Sequence, residues 1–336
     1  MGNILIPKGY TSPQNIKYTE IAIKEVKDYF ERAIAMNLNL NRVSAPLFVK
    51  HSTGLNDDLS GVERPVKFGI KEQNDEEVEI VHSLAKWKRL ALKRYGFLHG
   101  EGLYTDMTAI RRDEDTDNFH SIYVDQWDWE KIIDENERNE ATLKKVVQDV
   151  YRAIKMTENY FSNRQTYIKP ILPEDIFFIS SEELLQMYPG TTPEEREYNI
   201  VKEKGAVFIT KIGGKLSDGE RHGNRAPDYD DWELNGDIIV YYPILDRAME
   251  LSSMGIRVNK DSLLRQLKDV NCEERLELDF HQMLLNNELP FTIGGGIGQS
   301  RICMFFLRCA HIGEVQSSIW PDEVLREASL HGINFL

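Results

Sequence analysis

The chain has 336 residues, 41% hydrophobic and 29% charged, enough to bury a large core in one or two domains and unlike a disordered composition. Its 41 Lys+Arg against 55 Asp+Glu leave a formal charge of -14, which disfavours a broad nucleic-acid-binding surface but leaves room for a basic pocket around a small anion. Cys272, Cys303 and Cys309 lack metal-ligand spacing and suit a reducing cytoplasm; no apolar run of about 18 residues marks a membrane span, and "MGNILI" has Ile6 where a myristoylation signal wants Ser or Thr.

Ile23, Val26, Phe30, Ala33 and Ile34 recur at helical spacing and predict a first helix that stops between Asn37 and Asn41, ahead of an extended "RVSAPLFV". About 15 residues precede that helix and have no evident role. "VKFGI" and "VEIVHS" flank "KEQNDEE" as a hairpin, followed by a helix from about Leu84 to Tyr95. "LYTDMTAIR" and "SIYVDQWDWE" are two alternating strands joined by the charged "RDEDTDNFH". Leu143, Val146, Val147, Val150 and Ile154 mark a long amphipathic helix, and "DIFFIS" and "AVFIT" are short strands after it. Between Ser217 and Trp232 the chain is too polar and turn-rich for regular structure, and a loop of that length is commonly functional. "NGDIIVYYPI" and "AMELSSMGIRV" read as adjacent antiparallel strands, and closing helices are expected over Asp261 to Lys268, Glu273 to Asn286 and Gly298 to Ala310. With no linker or repeat, one domain over residues 1–336 is the simplest organisation. Strands that arrive as hairpins predict an α+β fold with a largely antiparallel sheet, which argues against a Rossmann fold.

The strand "SIYVDQWDWE" carries the clearest chemical signal. At period two, Gln126, Asp128 and Glu130 share one face while Tyr123, Trp127 and Trp129 share the other. If the aromatic face packs inward, two carboxylates and an amide form a polar row suited to a ligand with an ammonium group; a solvated strand face is the plain alternative. Arg111, Arg112 and Glu114 stand at the mouth of the preceding strand, where an arginine offers a planar fork of donors to a phosphate or carboxylate. Asp237 and Glu250 lie on the two late strands, with Ser252 and Ser253 just beyond, and two facing carboxylates can hold Mg²⁺ bridging nucleotide phosphates. In "PFTIGGGIGQSRICMFFL" a short strand ends in glycines and a helix begins with Arg301; no Lys-Ser/Thr follows, so it is not a P-loop. Glycines there permit close approach to a flat base or ribose, and Arg301 can reach a phosphate.

Together "DDLSG", "VHSLAKWKR", "GEGLYT", "HSIYVDQWDWE", "GGKLSDG", "RAPDYDDW", "ELSSMGIRV" and "TIGGGIGQSR" resemble the ammonia-dependent asparagine synthetases, or aspartate–ammonia ligases, within the class II aminoacyl-tRNA synthetase superfamily. The resemblance spans about Asp57 to Trp320 and implies a six- to eight-stranded antiparallel sheet flanked by helices, in a homodimer. Pro46 matches the proline of the dimer-interface motif, Arg111 to Glu114 the second class II motif, and Gly294 to Arg301 the third. No anticodon-binding domain is expected, and Arg112 stands where the family pattern has proline.

The implied reaction makes β-aspartyl-AMP and pyrophosphate from ATP and L-aspartate, and ammonia then gives L-asparagine and AMP. By the resemblance, Arg111 neutralises the α-phosphate, Arg301 meets the triphosphate, and Asp237 and Glu250 hold Mg²⁺. Adenine lies near Glu114, between Phe119 and Arg301, with Ser121, Ser253 and Gly294 completing the nucleotide site. Ser83, Lys88, Gln126, Asp128, Glu130, Asp230 and Ser252 hold aspartate, with Gln126 donating to its carbonyl oxygen. Asp57 positions or deprotonates the ammonia, a task that needs hydrogen-bond reach. Glutamine-dependent synthetases need a cysteine exposed after Met1, whereas position 2 here is Gly, so free ammonia is the expected donor. Two rivals remain: a class II relative passing the acyl group to another acceptor, and an inactive paralogue that binds an amino acid or adenylate. Retention of Asp57, Arg111, Gln126, Asp237, Glu250 and Arg301 argues against the second.

Overall fold

A helix capped by Asn15, whose side chain accepts from the Tyr18 amide at 3.2 Å, opens the fold in a computed structural model that describes residues 4–59, 63–165 and 167–336. Gly2, and Ser60 and Gly61 of "DDLSG", lie outside the described residues. This helix, α1 (Ile16–Leu38), ends where Asn39 turns left-handed, a conformation asparagine tolerates. Then come β1 (Leu40–Arg42), β2 (Phe48–Lys50), β3 (Lys67–Ile70), β4 (Glu76–Ile80), α2 (Ala85–Tyr95), β5 (Gly102–Ile110) and β6 (Tyr123–Ile132). The middle of the chain holds α3 (Glu140–Ser162), β7 (Phe177–Ser180), α4 (Ser181–Met187), α5 (Pro193–Lys204) and β8 (Ala206–Thr210). The last third holds β9 (Asp230–Tyr242), β10 (Arg247–Arg257), α6 (Lys260–Asp269), α7 (Asp279–Leu285), β11 (Thr292–Gly298), α8 (Gln299–Leu307) and α9 (Asp322–Leu330).

Eight strands form one sheet in the order β1-β5-β6-β11-β10-β9-β8-β7, and β2-β4-β3 form a smaller one. The six central strands pair antiparallel, whereas β1 runs parallel to β5 and β7 parallel to β8, so the sheet is mixed only at its edges. Nine α-helices among the described residues complete the α+β architecture.

The buried stripe of α1 faces the stripe Leu143, Val146, Val147, Val150 and Ile154 of α3, and both join the core beneath the large sheet. Phe30 meets Trp127 of β6 with ring centroids 4.8 Å apart, so Phe30→Ala is worth about 3–5 kcal/mol of lost packing. Helix α8 is apolar nearly all round, with Ile302, Cys303, Met304, Phe305 and Phe306 all buried, the pattern of a helix enclosed by the core. The large sheet thus has one face on this core, while the other carries the polar row of β6.

Some element boundaries differ from the pattern-based expectation. Helices α4, α5 and α9 are short, with two or three buried residues each, too few to show a periodicity. The expected helix from Glu273 to Asn286 is a 3₁₀ turn over Glu273–Glu277 followed by α7, with Leu278 in extended conformation between them. The polar segment expected to run as a loop to Trp232 gives way to strand at Asp230.

Candidate active site

Register explains the glycine run. Along one rung of the sheet stand Asp128 of β6, Gly296 of β11, Ser253 of β10 and Asp237 of β9; along the next but one stand Glu130, Gly294, Gly255 and Asn235. Side chains on a shared face lean over their cross-strand neighbours, so a row of long acids needs something small beside it. A Cβ at Gly294 would lie 1.9 Å from Oε2 of Glu130, and one at Gly296 would lie 2.6 Å from Oε1 of Gln126. These glycines accommodate the polar row of β6, a reason different from the nucleotide contact expected of them.

Above this row lies a cavity of about 330 Å³. Of the residues singled out in the sequence, it gathers Asp57, Ser83, Lys88, Arg111, Glu114, Phe119, Ser121, Gln126, Asp128, Asp230, Asp237, Glu250, Ser253 and Arg301 in its lining. Glu130, Ser252 and Gly294 are not in that lining: Glu130 is fully buried beneath it, Ser252 is buried on β10, and Gly294 lies under Glu130. Arg225 and Arg257, which the sequence reading passed over, do line it. Arg257 ends strand β10, which also begins with an arginine, Arg247, so its position alone did not set it apart. Arg225 was hidden among the charges of the polar loop.

The floor is a chain of alternating charges. Arg257 donates to Glu130 through Nε at 3.0 Å and Nη2 at 2.7 Å, and its Nη1 donates to Asp230. Arg225 follows, with Nη2 donating to Oδ1 of Asp237 at 2.6 Å and Nη1 to the Ser253 hydroxyl. Buried charges persist only when paired and hydrogen-bonded, and here each arginine spans two acceptors. Lys88, in the second turn of α2, donates to Asp128 at 2.7 Å and to the Gly295 carbonyl at 2.9 Å. Burial pushes the Lys88 ammonium down from its usual range, against the opposing pull of Asp128.

Asp57 enters from the loop after β2, 2% exposed, accepting from the Leu59 amide at 2.9 Å and the Ser83 hydroxyl at 3.0 Å. Burial raises its carboxyl above the ordinary range, and Lys86 opposes that. Around the mouth the charges are looser. Arg111 stands 3.9 Å from Glu114, and Arg301 3.7 Å from the Glu250 carboxylate. Enclosure by surrounding atoms, then the neighbouring Asp237 carboxylate, raises Glu250 although its side chain remains 44% exposed. Phe119 meets Tyr242 edge-on at 6.2 Å, and its carbonyl accepts from Arg301 Nε at 3.3 Å; Ser121 donates to Ser318 at 3.0 Å.

Comparison with known proteins bears on this geometry. The model of the aspartate–ammonia ligase family matches residues 17–332. An aspartate–ammonia ligase of Clostridium perfringens is 62% identical over 336 residues, covering 100% of both chains, and one of Lactobacillus johnsonii is 58% identical over 334 residues, covering 99% of each. Among solved structures, asparaginyl-tRNA synthetase from Pyrococcus horikoshii complexed with asparaginyl-adenylate superposes with a TM-score of 0.64, over 90% of this chain and 70% of that one. Its sequence identity is 14%, so this likeness speaks to the fold, which is that of a class II aminoacyl-tRNA synthetase.

Proposed function

The chain belongs to the aspartate–ammonia ligase family and is a ligase, and from that premise we propose how its cavity joins ammonia to the side-chain carboxyl of L-aspartate using ATP, with release of AMP and pyrophosphate. The observation that carries the assignment of roles is that Arg111, Gln126 and Asp57 all open on one cavity, between a buried charged floor and a looser charged mouth.

Aspartate sits over β6, where Asp128 and Asp230 favour its ammonium, and Lys88 and Arg257 favour its α-carboxylate. Glu130 acts at one remove, by holding Arg257. The β-carboxylate oxygen then bonds to the α-phosphorus of ATP as the bond to pyrophosphate breaks. Arg111 neutralises the α-phosphate at this step, and a preorganised donor of this kind is worth about 3–4 kcal/mol of transition-state stabilisation. Adenine lies between Phe119 and Arg301, near Glu114, with Ser121 and Ser253 toward the ribose and phosphates. Ammonia next adds to the acyl carbon, Gln126 donates to the oxygen that gains charge, and AMP leaves. Asp57, its affinity for a proton raised by burial, takes the proton from the incoming nitrogen.

Asp237 and Glu250 are the residues that would hold Mg²⁺. Among the described residues no third His, Cys, Asp or Glu closes a cage around them, which suits a cation bound by one or two carboxylates plus phosphates. Bound there, the ion supplies charge neutralisation for the nucleotide. A second copy of the chain is the partner we assign to the surface beside Pro46, where Leu47 is exposed next to Phe48 and Phe68 of the small sheet. We place the work in the cytoplasm, consistent with three unpaired cysteines, and among the described residues no helix is long and apolar enough to cross a membrane. Residues 1–336 act as one catalytic domain in this reading.

The test incubates the protein with ATP, Mg²⁺, aspartate and ammonium. Asparagine and AMP are expected in equal amounts; ADP would sink the adenylate route, and turnover with glutamine but not ammonium would sink the donor. Asp57→Asn separates the half-reactions: aspartate-dependent pyrophosphate exchange persists while asparagine formation drops by about 10²–10⁴, the range for a general base. Equal loss of both would remove Asp57 from the ammonia step.

A further inference from the structure

The segment ahead of α1, to which the sequence attached no role, is fastened to the loop that presents Phe119. The Leu5 amide donates to Oδ1 of Asn118 at 2.8 Å, and Nδ2 of Asn118 donates back to the Leu5 carbonyl at 2.9 Å. The same Nδ2 donates to the Ala310 carbonyl at 2.7 Å, while the Ile312 amide donates to the Asn118 carbonyl at 2.8 Å. An asparagine side chain offers two donors and an acceptor, so this one, 5% exposed, is fully engaged in joining three stretches of chain.

Farther along, the segment is anchored a second time. The hydroxyls of Tyr10 and Ser12 donate to the Glu314 carboxylate, which also accepts from the Ala310 amide at 2.8 Å. Residues 4–12 therefore form a strap held at Asn118 and at Glu314. Phe119 follows Asn118 directly, with its amide donating to Asp117 at 2.7 Å and its carbonyl accepting from Arg301. Ile4 and Leu5 also line a second cavity, of about 660 Å³, whose wall shares Phe119, Glu250 and Arg301 with the first.

We propose that Asn118, braced by the strap, is a positioning residue for the nucleotide: it fixes Phe119 relative to Arg301 and so sets affinity for ATP without touching aspartate. This rests on the reading that places adenine between Phe119 and Arg301. Loss of the side-chain contacts removes buried hydrogen bonds of ordinary strength, and the cost falls on one substrate only.

The experiment compares full-length wild type, Asn118→Ala and Leu5→Pro in steady-state asparagine formation, varying ATP, aspartate and ammonium in turn. Leu5→Pro deletes one amide donor to Asn118 and keeps every side chain of the Phe119 loop, so it carries the test if Asn118→Ala does not fold. KM for ATP is expected to rise about tenfold in Asn118→Ala and about threefold in Leu5→Pro, with kcat and the other two KM values within about twofold of wild type. An unmoved KM for ATP in a folded variant overturns the proposal, and so does a parallel rise for aspartate, which marks general loosening. A wild type that forms no AMP would instead overturn the functional reading on which the proposal stands.

Discussion

At the floor of the cavity Lys88 and Asp128 stand 2.7 Å apart with 1% and 3% of their side chains exposed, and Arg257 grips Glu130 with 3% and 0%. At the mouth, Arg111 is 3.9 Å from Glu114 with 24% of each exposed, and Arg301 is 3.7 Å from Glu250. The floor meets its desolvation cost during folding and so arrives rigid; the mouth leaves cations underpaired, so an arriving polyanion completes them. Substitutions on the floor should act first on stability, those at the mouth on turnover.

The largest expected effect is at the floor. Arg257→Met leaves Glu130 buried without its hydrogen-bonded cation and leaves Asp230 only Arg225, 3.7 Å away, and should cost about 3–5 kcal/mol in urea unfolding; a loss below about 1 kcal/mol would mean that the floor is not held by Arg257 and Glu130. Arg111→Ala should leave the urea midpoint in place while aspartate-dependent pyrophosphate exchange falls about 10²–10³-fold, and a destabilised protein with normal exchange would invert the comparison. Gly294→Ala, which drives a methyl into Glu130 and the Arg257 guanidinium, should cost about 1–3 kcal/mol of stability as overpacking. The smallest effect has the opposite sign. Because burial raises Asp57 in the fold, the folded state holds a proton there more tightly than the unfolded chain does. That contribution favours the fold at low pH and is lost as pH rises from the ordinary carboxylate range through the raised value. Asp57→Asn should flatten that slope and be at least as stable as wild type near neutrality. A steeper decline with pH in the variant would refute it.

Much of this molecule was legible where the chain repeats a period. The stripes of α1 and α3 and the alternation of β6 are set by residues that must all face one way, and a single sequence displays that directly. Arg225 and Arg257 were not legible, because an arginine in a polar loop or at a strand end has the same local pattern whether it faces solvent or spans two buried acids. The glycines of β11 show a subtler limit. Their need for space was evident, but what fills the space comes from β6, about 160 positions earlier, and cross-strand register is not written in either segment alone. Helix α5 carried a readable start, Thr192 with Glu195 three residues on and Pro193 between them, yet its apolar face amounts to Ile200 and Val201.

Strand β6 holds Trp127 and Trp129 against the core on one side and Gln126, Asp128 and Glu130 over the glycines on the other. A slip of one residue would therefore exchange the two sets, driving carboxylates into the hydrocarbon layer and indoles into the cavity. Assembly of the catalytic row and sealing of the core are a single event along this strand. Near-ultraviolet dichroism of the indoles during refolding should accordingly rise in step with recovery of pyrophosphate exchange, giving the site an optical clock of its own.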